Sequence, residues 1–431
     1  MDKNEQAWDR VFSDLHLKVE AALKNGTCVI DSKALKKIGA REPRLMTKFD
    51  HYSCLPERFK KNHYSIMPIS RSEYLLGHGE MYHALEDIDL SRPQFKSYPD
   101  NIESLDASDI TSEQNALAVA HITHMIDDFL GEETQLTLQG RMASSIFAFR
   151  MQHALGEGYD HLNVSNSQIE IDASYEGKDS ITVFEAKLGL CTDFLIRQLY
   201  YPFRMLKNRI WDKKIRLVFF TYSDKVFYFR EYGYPQDEFD NYNSLILLKG
   251  KAYTLEERRP LTLDSLHRLL QTTRSLPEPN VPFPQANDFN RVIDILHLAK
   301  RGIAKEEITA NYDFEPRQAD YYANAGVYLG LLQKDKKSGL FRLTDDAKKI
   351  LELPYRQRRI EFIRKILLHE VFKKILSLYL KNNLKEPSLN KMLEIMRAAN
   401  LFRIGKEKTY ERRLSSVRKW IYWILDSIKE N

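Results

Sequence analysis

Cysteine is scarce, with three in 431 residues, and Cys28, Cys54 and Cys191 lie far apart with no Cys-x-x-Cys pair. That excludes a disulfide framework and a cysteine-rich zinc site, and it fits a reducing, cytoplasmic setting. No apolar run approaches the ~18–20 residues that a bilayer core demands, so no membrane span is expected. The opening stretch, MDKNEQAWDRVF, is polar and charged and does not read as a secretory signal. The histidines His51, His63 and His78 are scattered and make no metal-ligand spacing. His121 and His124 share one expected helix but lack a third partner. No Gly-x-x-x-x-Gly-Lys-Ser/Thr loop occurs, which excludes an ATPase motor within the chain. Solenoid repeats and low-complexity tracts are also missing.

What is present is the composition of a globular protein, 43% hydrophobic and 29% charged, long enough for roughly two to four domains. The net charge is only +5, but it is unevenly spread: residues 354–431 hold 19 Lys/Arg against 8 Asp/Glu. Residues 86–113, in contrast, are mostly acidic. A one-sided positive field suits a polyanion such as DNA or RNA. A solvated basic helical face is the alternative reading of the same residues.

Organisation follows from periodicity and turn chemistry. Residues 1–85 mix short helices with short strands: Cys28 to Ile30, then Asp31 or Ser32 as a helix N-cap, with strands over 64–70 and 74–76. Residues 86–113 are rich in Asp, Ser and Pro, without a sustained period, and read as a linker. From 114 to 255 the text has an α/β rhythm. Helices are expected over 116–130 and 140–155 (GRMASSIFAFRMQHAL), strands over 168–172 and 181–187 around a turn at 176–179, a helix over 193–209, and strands over 214–222, 226–230 and 244–249. Beyond Pro277–Pro284 the chain reads as helix (288–300), short helix (305–311), longer helix (from Pro316 to about Leu332) and hairpin (332–343). That order is the order of a winged helix-turn-helix. The rest is helical, ending in 412–428. The expected divisions are an N-terminal DNA-contact region and linker (1–110), an α/β core (111–278), a winged helix (279–352) and a basic helical region (353–431). The fold class is mixed α/β, with a mixed β-sheet flanked by helices.

The sharpest constellation is Gln168-Ile169-Glu170-Ile171-Asp172, a short turn, then Val183-Phe184-Glu185-Ala186-Lys187. Side chains at i and i+2 of a strand share a face, so Glu185 and Lys187 point together. A hairpin brings Asp172 beside Glu185, which gathers two carboxylates and an ammonium at one rim of the sheet. Phosphodiester hydrolysis needs this set. Mg²⁺ takes hard oxygen ligands and keeps several waters, so Asp172 and Glu185 suffice to hold it against a phosphate. The metal activates a water, and Lys187 steadies the nucleophile and offsets charge on the phosphorane. Glu170 falls on the same face as Asp172 and is a candidate supporting or alternative ligand. The competing reading is an amphipathic hairpin whose Glu185 and Lys187 form a solvated pair.

Asp…Glu-Ala-Lys followed by Arg197-Gln198-Leu199-Tyr200-Tyr201-Pro202 resembles the active-site core of PD-(D/E)XK nucleases, which include helicase-associated nucleases and restriction enzymes. The resemblance implies a restriction-endonuclease-like core at about 114–275, with Gln198 as the glutamine that orients the site. Tyr201 stands three residues on, where the helicase-associated pattern has its tyrosine four on; core packing is the other reading of Tyr200 and Tyr201. Arg41-Glu42-Pro43-Arg44-Leu45-Met46, Gly140-Arg141 and Arg317-Gln318-Ala319-Asp320-Tyr321-Tyr322 resemble segments of type II restriction enzymes. That likeness implies Mg²⁺-dependent cleavage of both strands of duplex DNA at a short sequence. It also implies a homodimer, since one centre cuts one strand, and a protective DNA methyltransferase as genetic partner. The rival readings are a structure-specific repair or recombination nuclease, and a DNA-binding regulator with an inactive nuclease-like domain.

DNA contacts are expected from several segments. In the winged helix, Arg317, Gln318, Asp320, Tyr321 and Asn324 form the outward face of the recognition helix, suited to base edges and phosphates. Ala319, Ala323, Gly326, Val327 and residues 329–332 pack inward, and residues 334–337 form the wing. Around Arg44 and Lys48 the chain is suited to a groove, with Met46 as an apolar wedge. Arg141 and Ser144, with Ser145, are placed at a helix start that suits a phosphate. In the tail, Arg412, Arg413, Arg418 and Lys419 suit phosphates, while Trp420 and Trp423 suit core anchors.

Overall fold

Residues 140–155 are governed by period-two burial rather than by helical periodicity. Phe147, Phe149 and Met151 are buried while Ile146, Ala148 and Gln152 are exposed, the pattern of a strand with one covered face. The expected helix there is replaced by two strands that meet at Ser144 and Ser145. The structure, a computed structural model, describes every residue except 1–2, 15–16, 25, 87, 91, 257–260, 312–315, 336, 403, 405–406 and 429–431, and omits the side chains of 310, 311, 316 and 317. The chain divides into two compact units, one of residues 1–222 and 226–254, the other of 223–225 and 255–431.

The first unit begins with helices α1 (Lys3–Ser13) and α2 (Val19–Lys24), strand β1 (Cys28–Asp31), and helices α3 (Ser32–Gly39), α4 (Pro43–Thr47) and α5 (Glu57–Asn62). Strands β2 (Ser65–Pro68), β3 (Glu73–Gly77), β4 (Tyr82–Ala84) and β5 (Gln94–Phe95) follow. Asp31 caps α3 as expected, accepting from the Lys33 and Ala34 amides. Helices α6 (Glu113–Ile122) and α7 (Met125–Leu130) replace the single helix expected there, because His124 takes the left-handed conformation at φ +55° and ends the first run. Then come β6 (Gln135–Ala143), β7 (Ile146–Gln152), β8 (Tyr159–Ser165), β9 (Gln168–Glu176), β10 (Ser180–Leu188), β11 (Asp193–Leu195), α8 (Arg197–Lys207), β12 (Lys214–Ser223), β13 (Val226–Gly233) and β14 (Ile246–Thr254). The helix expected from 193 thus starts at Arg197, since residues 193–195 pair with β4 instead.

Seven strands form one mixed sheet in the order β5-β14-β13-β12-β10-β9-β6. β10 runs parallel to β12 and antiparallel to β9. β10 is buried over most of its length, as a central strand covered on both faces must be. On one face Val183, Leu217 and Phe219 share a core with Leu199 and Tyr200 of α8. On the other, Phe184 meets Phe229, which meets Phe129 of α7. Helices therefore flank the sheet on both sides.

The second unit contains α9 (Leu263–Thr272), α10 (Phe289–Leu298), α11 (Lys305–Asn311), α12 (Pro316–Tyr328), the antiparallel pair β15 (Leu332–Lys334) and β16 (Phe341–Leu343), and helices α13 (Asp345–Glu352), α14 (Tyr355–Leu367), α15 (Glu370–Lys381), α16 (Leu389–Ala398) and α17 (Glu407–Asp426). The expected helix, short helix, helix and hairpin are all present. Ile303 adds a third short rung by exchanging two 2.9 Å backbone bonds with Phe341. α12 stops at Tyr328, four residues short of the expectation, because Gly330 turns the chain at φ +69°. Ala319, Ala323, Gly326, Leu329, Leu331 and Leu332 are buried as expected, while Val327 is half-buried and Gly330 exposed. Trp420 and Trp423 anchor α17, donating to the Ala286 carbonyl and the Asn290 side chain. Among the described residues no helix is long and apolar enough to cross a membrane.

One buried ion pair ties β12 to β13: the Arg216 guanidinium donates to both oxygens of Glu231 at 2.8 and 2.7 Å. Burial pushes the Glu231 carboxyl up, but the bonds and charge of Arg216, aided by Lys249 and Lys214, outweigh it and hold the group below its ordinary range. Glu231→Gln strands the guanidinium and should cost ~3–5 kcal/mol in urea denaturation at pH 7. The folded-state pKa is depressed, so the pair's contribution is complete above the unfolded glutamate value of ~4.3 and fades as the pH falls below it. The gap between wild type and variant should therefore narrow towards pH 3; a gap independent of pH would contradict this account.

Candidate active site

β9 and β10 form a hairpin, with Phe184 opposite Ala173 and Val183 opposite Ser174. The pairing of β9 with β6 contains an irregularity: Ser174 faces Leu138 and Ile171 faces Gly140, so two residues of β9, Asp172 and Ala173, lie opposite Gln139 alone. This is a β-bulge, a device that re-aims a side chain and frees backbone groups from the ladder. Gly140 makes it feasible with φ +91°. The freed Asp172 carbonyl is satisfied by the amides of Gln139 at 3.1 Å and Gln114 at 3.3 Å, and these two side chains also bond each other. The start of α6 is thus tethered to the bulge. Ser112 caps that helix and Glu113 is its first residue.

The re-aimed Asp172 carboxylate accepts from the Ala186 amide at 2.8 Å, between Glu185 and Lys187 on the next strand. Glu185 is 4% exposed. Its Oε1 accepts from Lys187 Nζ and from Gln198 Nε2, each at 2.5 Å. Gln198 reaches it from the first turn of α8, whose aromatic face is fixed in the core: Tyr201 donates to the Pro68 carbonyl at 2.9 Å, and Tyr200 donates to the Phe239 carbonyl at 3.1 Å. Both tyrosines are therefore packing residues. Lys187 Nζ also lies 3.9 Å from Asp50, which follows α4 and lies 3.6 Å from Lys48.

These groups line one cleft of about 330 Å³ that also includes Arg44, Arg71, Glu113, Glu170 and Arg197. Burial pushes the Glu185 carboxyl up, and Asp172 adds to this while Lys187 partly offsets it. Asp172 and Glu113 are likewise raised by burial, against the pull of Lys187. Burial alone would lower Lys187, but Glu185, Asp50 and Glu113 outweigh it and keep the ammonium charged. Asp50 is the exception among the carboxyls: Lys187, Lys48, His51 and Arg197 overcome its burial and lower it. Three of the four carboxyls, Glu113, Asp172 and Glu185, thus stay raised by burial despite the ammonium beside them. Asp172 and Glu185 are the residues that could hold a cation. Among the described residues no three His, Cys, Asp or Glu side chains are already arranged around a metal position.

Asp172, Glu185, Lys187 and Gln198 are therefore brought together. Other expectations are revised. Glu170 lines the same cleft but is half exposed and pairs with Arg44 at 3.1 Å and Arg141 at 3.3 Å. Ser144 is 2% exposed in the turn after β6, with its hydroxyl bonded to the Ser145 carbonyl, so neither it nor Arg141 sits at a helix start. Met46 is fully buried and its carbonyl accepts from Trp8, so it is a core residue and not a wedge. Arg44 and Lys48 do line the cleft. Asp50, Glu113, Arg71 and Arg197 were missed. Glu113 had a readable signal, an acidic residue following a capping serine, whereas Asp50 lies 122 positions before Asp172 with nothing in the sequence to link them.

In the second unit Gln318 is exposed and Asn324 half-buried on α12, while the Arg317 side chain and Lys336 of the wing lie outside the described residues. Asp320 pairs with Lys305. Arg412 and Lys419 are exposed, and Arg418 pairs with Glu386. Arg413 lies 5.8 Å from the ring of Tyr321, its Nε buried without a partner, and burial and Arg412 lower its pKa.

Three family models match the chain, each describing a domain of unknown function: DUF6996 over residues 5–76, DUF6997 over 77–254 and DUF7226 over 291–429. No curated protein and no solved structure matches. The first two matches together cover the cleft-forming unit, and the third covers most of the helical one.

Glu170→Ala breaks only exposed ion pairs, so it should shift the denaturation midpoint by the equivalent of less than ~1 kcal/mol. A larger loss would mean that the Arg44–Glu170–Arg141 bridge is structural.

Proposed function

We propose that the chain is a metal-dependent DNA endonuclease of the PD-(D/E)XK type that cuts both strands at a fixed sequence, as type II restriction enzymes do. The observation that carries this reading is the convergence of Asp172, Glu185, Lys187 and Gln198 on one cleft, by way of a bulge and a helix start. The mixed sheet flanked by helices agrees with a restriction-endonuclease-like core. Asp172 and Glu185 would hold Mg²⁺, whose hard-oxygen preference fits two carboxylates. The bound cation would polarise the phosphoryl oxygen and acidify a water. Lys187 directs its ammonium at the attacking oxygen and offsets charge building on the phosphorane. Gln198 fixes the Glu185 carboxylate, and Arg44, Lys48, Arg71 and Arg197 supply the positive wall that a phosphodiester strand needs.

The second unit suits a winged helix that reads DNA. Gln318 and Asn324 are of the kinds that pair with adenine edges, and Arg317 with guanine. Tyr321, Arg412 and Arg413 suit phosphates, and Arg413 is the best motivated, as a half-buried guanidinium whose Nε has no hydrogen-bond partner among the described residues. Double-strand cleavage by one centre per chain calls for a homodimer, and a sequence-specific nuclease calls for a protecting methyltransferase.

Digestion of mixed-sequence DNA with Mg²⁺ should give discrete fragments. The fragments should vanish with EDTA, and Asp172→Ala or Lys187→Ala should lower the rate at least ~100-fold, the usual scale for losing a group that stabilises transition-state charge. Full metal-dependent cleavage by both variants would sink the proposal. A smear, or cutting confined to junctions and flaps, would favour a structure-specific repair nuclease. Binding without cleavage under any metal would favour a regulator. Arg413→Gln should weaken DNA binding across all sequences and flatten its salt dependence by about one phosphate contact; an unchanged slope would remove Arg413 from the interface.

A further inference from the structure

Lys187 donates to Glu185 Oε1 at 2.5 Å, and Gln198 donates to the same oxygen at the same distance. That oxygen is therefore saturated with donors. A divalent cation that takes this Glu185 oxygen, with Asp172 as its other ligand, displaces the ammonium, since two cations sharing one carboxylate oxygen repel strongly in a dry site. Nor can Lys187 simply swing into water, because its side chain is only 12% exposed. It needs another acceptor within reach.

Asp50 meets that need. Its Oδ2 stands 3.9 Å from Lys187 Nζ and 3.6 Å from Lys48 Nζ, both longer than the ~2.7–2.9 Å of a charge-assisted hydrogen bond. Its Oδ1 is buried and accepts no hydrogen bond from the described residues. A carboxylate with one oxygen unused and the other loosely paired can take an ammonium that moves about 1 Å. The neighbours of Asp50 fix its place. Phe49 is buried and its carbonyl accepts from Tyr82 at 3.0 Å, and the His51 ring is bonded to the Asp193 carbonyl and carboxylate at 3.0 and 3.1 Å. The lysine, with its flexible stem, is the partner that moves.

We propose that Asp50 is the second acceptor for the Lys187 ammonium, the carboxylate to which the lysine turns when a divalent cation engages Glu185. The inference rests on reading Asp172 and Glu185 as cation ligands. Asp50 acts here as a positioning residue, supplied by the region matched as DUF6996 to a centre otherwise built by the region matched as DUF6997.

The test is Mn²⁺ binding to the full chain, without DNA, by titration calorimetry for wild type, Asp50→Asn, Lys187→Met and the double variant. Asp50→Asn should weaken Mn²⁺ about 10- to 100-fold, the scale for losing a partner that supports a metal site. In the Lys187→Met background, with no ammonium to rehouse, the same substitution should change affinity less than ~2-fold, because the coupling runs through Lys187. Equal weakening in both backgrounds would make Asp50 a direct ligand and overturn the proposal. No weakening in either would overturn it while leaving the nuclease reading intact. A wild-type chain that binds no Mn²⁺ would overturn both. If Asp50→Asn does not fold, a crystal structure of the wild-type chain with Ca²⁺ decides the matter. Lys187 Nζ should then lie within hydrogen-bond distance of Asp50, and a lysine still bonded to Glu185 overturns the inference.

Discussion

The carboxylates drawn partly or wholly out of water around the Lys187 ammonium set the terms for the rest of the first unit. An ionised carboxylate in such a place is costly unless donors meet it, and each element near the cleft supplies one. The backbone of β10 gives the Ala186 amide to Asp172, α8 gives Gln198 to Glu185, and the strand itself gives Lys187. Even so the burial of Glu113, Asp172 and Glu185 is only partly offset. A fold selected for stability alone gains nothing from this cluster, since apolar residues of similar volume pack as well or better. Under the proposed function, the cation held by Asp172 and Glu185 would supply the positive charge that these raised carboxyls lack.

The bulge in β9 turns that requirement into geometry. In a regular ladder Asp172 would keep the alternation of its strand, and Glu170 would share its face. With an extra residue opposite Gln139, Asp172 turns towards the Ala186 amide while Glu170 goes to the exposed arginines Arg44 and Arg141. The carbonyl that the bulge strands is recovered by Gln114 and Gln139. Those bonds also fix where α6 begins, so the device that aims one carboxylate also brings a second, Glu113, to the same cleft.

This explains what could and could not be read in advance. Strand pairs such as β9–β10 and β12–β13 carry their own evidence in alternating or continuous apolar runs, and Asp172, Glu185, Lys187 and Gln198 are close enough in sequence for local geometry to join them. The two strands on either side of Ser144 and Ser145 read as a helix because Ala, Met and Phe suit either state, and only the strands they pair with decide. The bulge at Asp172 and Ala173 was not legible, because it is invisible to a period-two rule. Asp50 and Arg71 were out of reach because their place depends on packing between distant segments, which no local pattern encodes. In the helical unit the element order was legible, whereas the unpartnered Nε of Arg413 became apparent only when the ring of Tyr321 was placed beside it.

The cleft also bears on the boundary between the regions matched as DUF6996 and DUF6997, which falls between residues 76 and 77. Neither region contains the cleft by itself: Arg44, Lys48, Asp50 and Arg71 come from the first, and Glu113, Asp172, Glu185, Lys187 and Gln198 from the second. The two are joined by a continuous core in which Trp8, Met46, Phe49 and Phe59 share a cluster with Phe194, Leu199 and Tyr201. Specific bonds reinforce that core, including Tyr82 to the Phe49 carbonyl, Tyr201 to the Pro68 carbonyl, and His51 to Asp193. Phe49 and His51 flank Asp50 directly, so the packing that joins the regions also holds a carboxylate 3.9 Å from Lys187. A loss of that packing would open the cleft and move Asp50 at once, and for this reason the stability of the first unit and the geometry of its site are not separable.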